Sequence, residues 1–274
     1  MPEQLDITEA DVRRLAAEAP GRLAFWSSFL KLTGVRVAAE VGVYRGDFAA
    51  HVLDECDAVE RYYMIDPWRH LDDWNKPANK SDDTFERFLQ ETLDKTSAHA
   101  SARVLLRGRT REVADQIRED ELDFVYIDGD HTLRGITTDL LTMYAKVRPG
   151  GFVGGDDFCR SIFQHSAEFE PTLVFPYAVH FAEAVGVPIY ALPHKQFLIH
   201  KRPDAGHSFV DTTGRYRDTT LKSQIAGRAH DPQRSSSVSA EPRSASPSPP
   251  GGLTGLARRL RGRTPGWASR GKGA

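Results

Sequence analysis

The chain has 274 residues, is 40% hydrophobic and 27% charged, and its 36 basic residues nearly balance 38 acidic ones. That suits one large domain or two small ones with a proper apolar core, and it excludes wholesale disorder and fibrous classes. Two cysteines, Cys56 and Cys159, with no CxxC pair exclude a disulfide framework and a zinc ribbon, while an acidic start and no apolar run near ~18 residues leave a soluble, cytoplasmic protein as the expectation.

The near-neutral total hides an asymmetry. Residues 226–274 carry nine Arg or Lys against Asp231 and Glu241, a net +7 that leaves the rest of the chain at −9. This segment is rich in Ser, Pro and Gly and buries too little apolar surface to offset chain entropy. Three parts are therefore expected: an N-terminal helical cap over 1–33, an α/β domain over 34–202, and a largely disordered basic tail over 203–274. Leu253, Leu256 and Leu260 among arginines allow two readings of the tail, a short basic amphipathic helix for an anionic membrane or acidic partner, and a solubilising tail. No nucleic-acid contact is expected.

In chain order, residues 8–32 read as one helix, capped at Thr8-Glu-Ala-Asp11 and stopped by Gly34. Strands are expected at Val35–Val43, Arg61–Ile65, Ala102–Leu106, Leu122–Ile127 and Phe152–Gly155. Helices fall between them near 47–55, 83–95, 110–118 and 133–147, the alternation of a parallel sheet wrapped by helices. A short helix over Tyr177–Val185 precedes strands Ile189–Leu192 and Gln196–His200. The three residues joining that last pair cannot make a parallel crossover, so it forms an antiparallel hairpin.

Ligands of open α/β sheets bind beyond the carboxyl ends of the strands. Strand one ends in Glu40-Val-Gly-Val-Tyr-Arg-Gly46, where Gly42 and Gly46 allow a tight turn beside a ligand. The spacing is G-x-x-x-G, not the dinucleotide G-x-G-x-x-G. Strand two ends in Asp66, suited to accept from both hydroxyls of a ribose. Strands four and five end in Asp128-Gly-Asp130-His131 and Asp156-Asp157. Carboxylates so close repel one another by about 4 kcal/mol per pair at an effective dielectric of 20, and an oxygen-rich set of this kind favours Mg²⁺. The loop holding Trp68, His70, Asp72 and Trp74 reads equally as a substrate-facing lid and as a packed surface loop. His165, His180, His194, His200 and Cys159 show no ligand or nucleophile pattern.

These segments, with Ile65-Asp-Pro-Trp68, Gly108-Arg-Thr110, Asp123–His131 and Val147–Phe158, resemble the class I S-adenosylmethionine-dependent methyltransferases. The similarity is greatest to the methyltransferase-24 and macrocin-type O-methyltransferases and spans roughly residues 34–202. The resemblance implies a Rossmann-like sheet of order 3-2-1-4-5-7-6. It implies that Glu40, Gly42, Gly46, Asp66, Gly108, Arg109, Thr110 and Asp128 hold S-adenosylmethionine, and that Asp128, Asp156 and Asp157 hold Mg²⁺. The catalytic base is Asp130 or His131, each matching a different branch. The expected reaction is methyl transfer to a hydroxyl of a small molecule: a sugar, a glycosylated metabolite or a phenol. A nicotinamide-dependent oxidoreductase and a non-catalytic nucleoside-binding or adaptor protein are the alternatives.

Overall fold

The computed structural model describes residues 7–216. The basic segment 226–274 and both readings of it lie outside the described residues, as do residues 1–6.

The expected N-terminal helix is two helices, α1 (Glu9–Glu18) and α2 (Arg22–Thr33). Thr8 and Asp11 close a reciprocal capping box on α1. The break falls at Ala19-Pro20-Gly21: proline lacks an N–H and drives the preceding residue out of the helical region, and Ala19 is extended. Gly34, left-handed at φ 61°, ends α2 as expected.

The rest alternates: β1 (Val37–Val41), α3 (Asp47–Glu55), β2 (Arg61–Asp66), α4 (Asp82–Lys95), β3 (Arg103–Arg107), α5 (Thr110–Val113), β4 (Leu122–Ile127), α6 (Leu133–Lys146) and β5 (Val147–Gly155). Then come α7 (Val174–Val185), β6 (Pro188–Leu192), β7 (Gln196–His200) and β8 (Ser208–Asp211). The sheet runs β3-β2-β1-β4-β5-β7-β6-β8, parallel across its first five strands and antiparallel where β7 meets β5 and β6.

Further details differ from expectation, among them the helix near 110–118, which is α-helical only over Thr110–Val113. β5 starts five residues early, because Val147 already pairs with Leu122 and the Arg148-Pro-Gly-Gly151 run is absorbed as a register shift rather than a turn. β1 is shorter than expected, since Gly42 at φ 88° leaves the extended region. The sheet also continues past residue 202: β8 pairs in parallel with β6, so the segment from 203 is not all tail. A four-residue strand beyond a Gly and a His carries too little alternation to be seen in sequence.

Side chains alternate across the sheet, and each face buries its own core. Ala38, Tyr62, Met64, Phe124, Tyr126 and Phe152 pack under α1–α4. Ala39, Val41, Ile65, Val125, Ile127 and Val153 pack under α5–α7. Trp26 of α2 is fully buried on the first face, stacking edge-on to Tyr126 at 5.4 Å. No helix among the described residues is long and apolar enough to cross a membrane.

Candidate active site

The carboxyl ends of β1, β2, β4 and β5 are knitted together by main-chain bonds. Gly42 N–H donates to Ile65 O at 2.9 Å, Asp128 N–H to Val41 O at 2.8 Å, and Asp156 N–H to Ile127 O at 3.0 Å. Any Cβ on Gly42 would lie 2.2 Å from Asp128 O, so only glycine lets the β1 and β4 turns approach this closely. Beyond these ends lies a cavity of about 430 Å³, within the size range of small-molecule sites.

Nine of the residues expected from sequence line it: Gly42, Asp66, Gly108, Arg109, Thr110, Asp128, Asp130, His131 and Asp157. Glu40, Gly46 and Asp156 do not. Glu40 lies one residue back inside β1, on the face that carries Tyr62, Met64 and Tyr126, 2% exposed and accepting from Tyr62 Oη at 2.9 Å; burial raises its pKa well above the carboxylate range, and the nearby Asp128 and Asp66 act in the same direction. Gly46 is the cap of α3, pressed against Thr92.

Asp66 closes β2 with both oxygens engaged. Oδ2 accepts from Tyr44 N–H at 2.9 Å and Oδ1 from Trp68 N–H at 2.7 Å. Tyr44 (φ 55°) and Trp68 (φ 40°) are left-handed, a strain of roughly 1–3 kcal/mol each that these bonds offset. Burial lifts Asp66 to about 6, against the pull of those N–H donors. Trp68 is fully buried, the packed-loop reading, whereas Trp74 lines the cavity and donates Nε1–H to Asp130 Oδ1 at 3.1 Å.

Asp130 Oδ1 also accepts from Thr132 N–H at 3.0 Å. His131 Nδ1 lies 2.6 Å from Asp157 Oδ2. His131 Nε2 stands 3.5 Å from Asp128 Oδ1, too far for a hydrogen bond, and is buried without a partner. Burial opposes the charge on His131, but Asp128 and Asp157 outweigh it and raise the imidazole to about 10. Asp157, correspondingly, falls below its ordinary value: burial acts upward, and His131 overcomes it.

Several side chains in and around the cavity carried no sequence signal. Asp139 of α6 faces the cavity, fully buried, and accepts from Thr110 Oγ1 at 2.6 Å; burial lifts it to about 7. Lys76, 6% exposed, spans from the loop after β2 to the segment before α7, donating to Glu170 O at 2.7 Å, Pro171 O at 3.1 Å and Thr172 Oγ1 at 3.3 Å. Asn75 Nδ2 adds a bond to Glu168 O at 2.6 Å, so these two loops roof the cavity together. Arg22 of α2 donates to Asp128 Oδ2 at 3.3 Å and to Asp156 Oδ2 at a still shorter distance.

The donor set does not fit a divalent cation. Asp156 Oδ1 accepts from Gln196 Nε2 and from Asp157 N–H, both at 2.7 Å, and its Oδ2 accepts from Arg22. Asp157 turns to His131 instead. Among the described residues no three acidic, His or Cys side chains gather as a metal site. The expected Asp128, Asp156 and Asp157 triad is thus drawn onto two cationic side chains, Arg22 and His131.

Residues 39–158 match a family described as a methyltransferase domain, methyltransferase-24. Among solved structures, a putative caffeoyl-CoA O-methyltransferase from Staphylococcus aureus superposes with a TM-score of 0.50 at 12% identity, over 71% of this chain and 93% of that one. An O-methyltransferase from Bacillus cereus in complex with SAH gives 0.47 at 13% identity, over 71% and 81%. A putative O-methyltransferase from Klebsiella pneumoniae gives 0.45 at 15%, over 72% and 82%. No curated protein sequence matches the chain.

Proposed function

On the match of residues 39–158 to the methyltransferase-24 family of methyltransferase domains, we propose that the protein transfers the methyl group of S-adenosylmethionine to a hydroxyl of a small molecule. The observation that carries the reading is the cavity itself, where Gly42 and Asp66 at the ends of β1 and β2 face Asp130 and His131 after β4. When bound, S-adenosylmethionine supplies a methyl group already activated on a positive sulfur.

The protein's own groups have to hold the cofactor, seat the hydroxyl and remove its proton. Asp66 is the ribose acceptor in this reading, with lone pairs to spare beside its two N–H donors. Gly108 and Thr110 border the cavity on the side of β3, where the adenine would lie. His131 and Asp130 divide the proton work. His131 keeps its proton between two carboxylates and offers the unpartnered Nε2–H to the acceptor oxygen, favouring charge that develops there. Asp130, whose Oδ1 accepts from Trp74 and Thr132, takes the hydroxyl proton on Oδ2, a contribution typically worth ~10²–10⁴ in rate. The acceptor is a sugar, a glycosylated metabolite or a phenol, with Trp74 forming an apolar wall.

Titration of the purified protein with S-adenosylmethionine and, separately, NAD tests the reading. Saturable binding of the first and none of the second is expected, followed by labelled methyl transfer to hydroxylated acceptors. Binding of NAD alone would return the oxidoreductase.

A further inference from the structure

Five side chains at the strand ends form a chain of alternating charge: Asp157, His131, Asp128, Arg22, Asp156. Its links are His131 Nδ1 to Asp157 at 2.6 Å, His131 Nε2 to Asp128 Oδ1 at 3.5 Å, and Arg22 Nη1 to Asp128 Oδ2 at 3.3 Å and to Asp156 Oδ2. A divalent ion among these acids would set two positive charges against three negative ones. Arg22 and His131 supply the same two charges on directional N–H groups. The two solutions exclude each other, because a small divalent ion needs carboxylate oxygens at about 2.0–2.6 Å and the guanidinium stands between Asp128 and Asp156.

Arg22 is delivered from outside the family-matched segment 39–158. One helical turn further along α2, Trp26 is fully buried and donates Nε1–H to Gln196 Oε1 at 2.8 Å. Gln196 in turn donates to Asp156 Oδ1 at 2.7 Å and accepts from Tyr126 Oη at 2.7 Å. Tyr126 Oη itself lies 3.5 Å from Arg22 Nη1. The helix that carries Arg22 is thus anchored by a docked aromatic, and the carboxylate it meets is held by a buried amide, while the half-exposed guanidinium itself touches Asp128, Asp156 and the Tyr126 phenol.

We propose that Arg22 is the built-in counter-ion of this site, a positioning residue that fixes Asp128 and Asp156, and through Asp128 the imidazole of His131, in place of a divalent cation. Its part in catalysis rests on the methyltransferase reading; its part in cation exclusion does not, so the two can fail separately.

The test uses the full chain with Mn²⁺ as probe, read by the electron paramagnetic resonance of the free ion. Wild-type protein should leave the free-ion signal unchanged. Arg22→Gln should take up Mn²⁺ saturably, since Asp128 and Asp156 then lack a counter-charge, and Arg22→Lys should restore the silent behaviour. In methyl transfer, EDTA should leave the wild type unaffected. Arg22→Gln should lose roughly 10–100-fold in kcat through misplacement of His131, with KM for S-adenosylmethionine nearly unchanged. Saturable Mn²⁺ uptake by the wild type would overturn the proposal, as would an Arg22→Gln protein that neither binds Mn²⁺ nor loses rate. Should Arg22→Gln not fold, Arg22→Met takes its place with the same expected Mn²⁺ uptake, and saturable uptake by the wild type still overturns the proposal.

Discussion

The indole of Trp26 lies directly over Gly154 of β5: a Cβ built on Gly154 would stand 2.3 Å from Trp26 Cη2. The missing side chain in the strand is what lets α2 settle on the sheet and bring Arg22 to the acids. Gly154→Ala is therefore expected to lower stability by about 1–3 kcal/mol, the usual cost of overpacking a filled core. Denaturant unfolding with unchanged m-value measures the loss. Trp26→Phe, which removes the Nε1–H to Gln196 but keeps an aromatic ring, should cost less.

Asp139 gives the protein a pH-dependent weakness. Its folded-state value of about 7 lies above the ordinary 3.8 because burial disfavours the charged form. Between those values the folded protein holds a proton that the unfolded chain has lost, so the Asp139 contribution to stability is full below about pH 4 and falls as pH rises toward 7. Each unit of such a shift corresponds to about 1.4 kcal/mol. Asp139→Asn keeps an acceptor for Thr110 and has no charge to bury. Its thermal midpoint should match wild type at pH 4.5 and exceed it at pH 8.

Replacing Asp130 by Asn should reduce methyl transfer by ~10²–10⁴ while leaving S-adenosylmethionine affinity, measured by calorimetry, within twofold. His131→Ala should fall in rate as well, but with a larger rise in acceptor KM, because it removes the donor facing the acceptor oxygen. A His131→Ala enzyme with wild-type kinetics would remove His131 from the reaction.

Asp66 holds two backbone N–H groups and, in the proposed function, the cofactor's ribose, so its substitution should show both. Asp66→Asn can accept from only one of the Tyr44 and Trp68 N–H groups, leaving an amide facing the other. An unsatisfied buried donor costs about 1–3 kcal/mol. The expected outcome is a lower thermal midpoint together with a loss of cofactor affinity of tenfold or more.

The strand ends were legible because each closes an apolar run with Gly or Asp, and the sheet order followed from a family resemblance those residues carried. The site's cation was not. Arg22 lies at the start of α2, where sequence shows only a helical stripe, and its importance depends on a break at Pro20 that splits one apparent helix in two. Asp139 and Lys76 were invisible for the same reason. An Asp in mid-helix and a Lys in a polar loop read as solvent-facing until the fold turns them inward. Glu40 shows what spacing leaves out: an acid two residues before a glycine points to a ligand, but its burial inside β1 and its bond from Tyr62 Oη appear only once the strands pair.

Lys76 holds the roof of the cavity by one ammonium shared among three oxygens of the facing segment. A buried ammonium withdrawn from one of these oxygens is left short of its full set, so giving up any one bond leaves a charge under-solvated. With the Asn75 bond to Glu168 O, the loop after β2 and the segment before α7 are tied at four points, and the cavity's cover is held from within by polar bonds where an apolar seam would otherwise be needed.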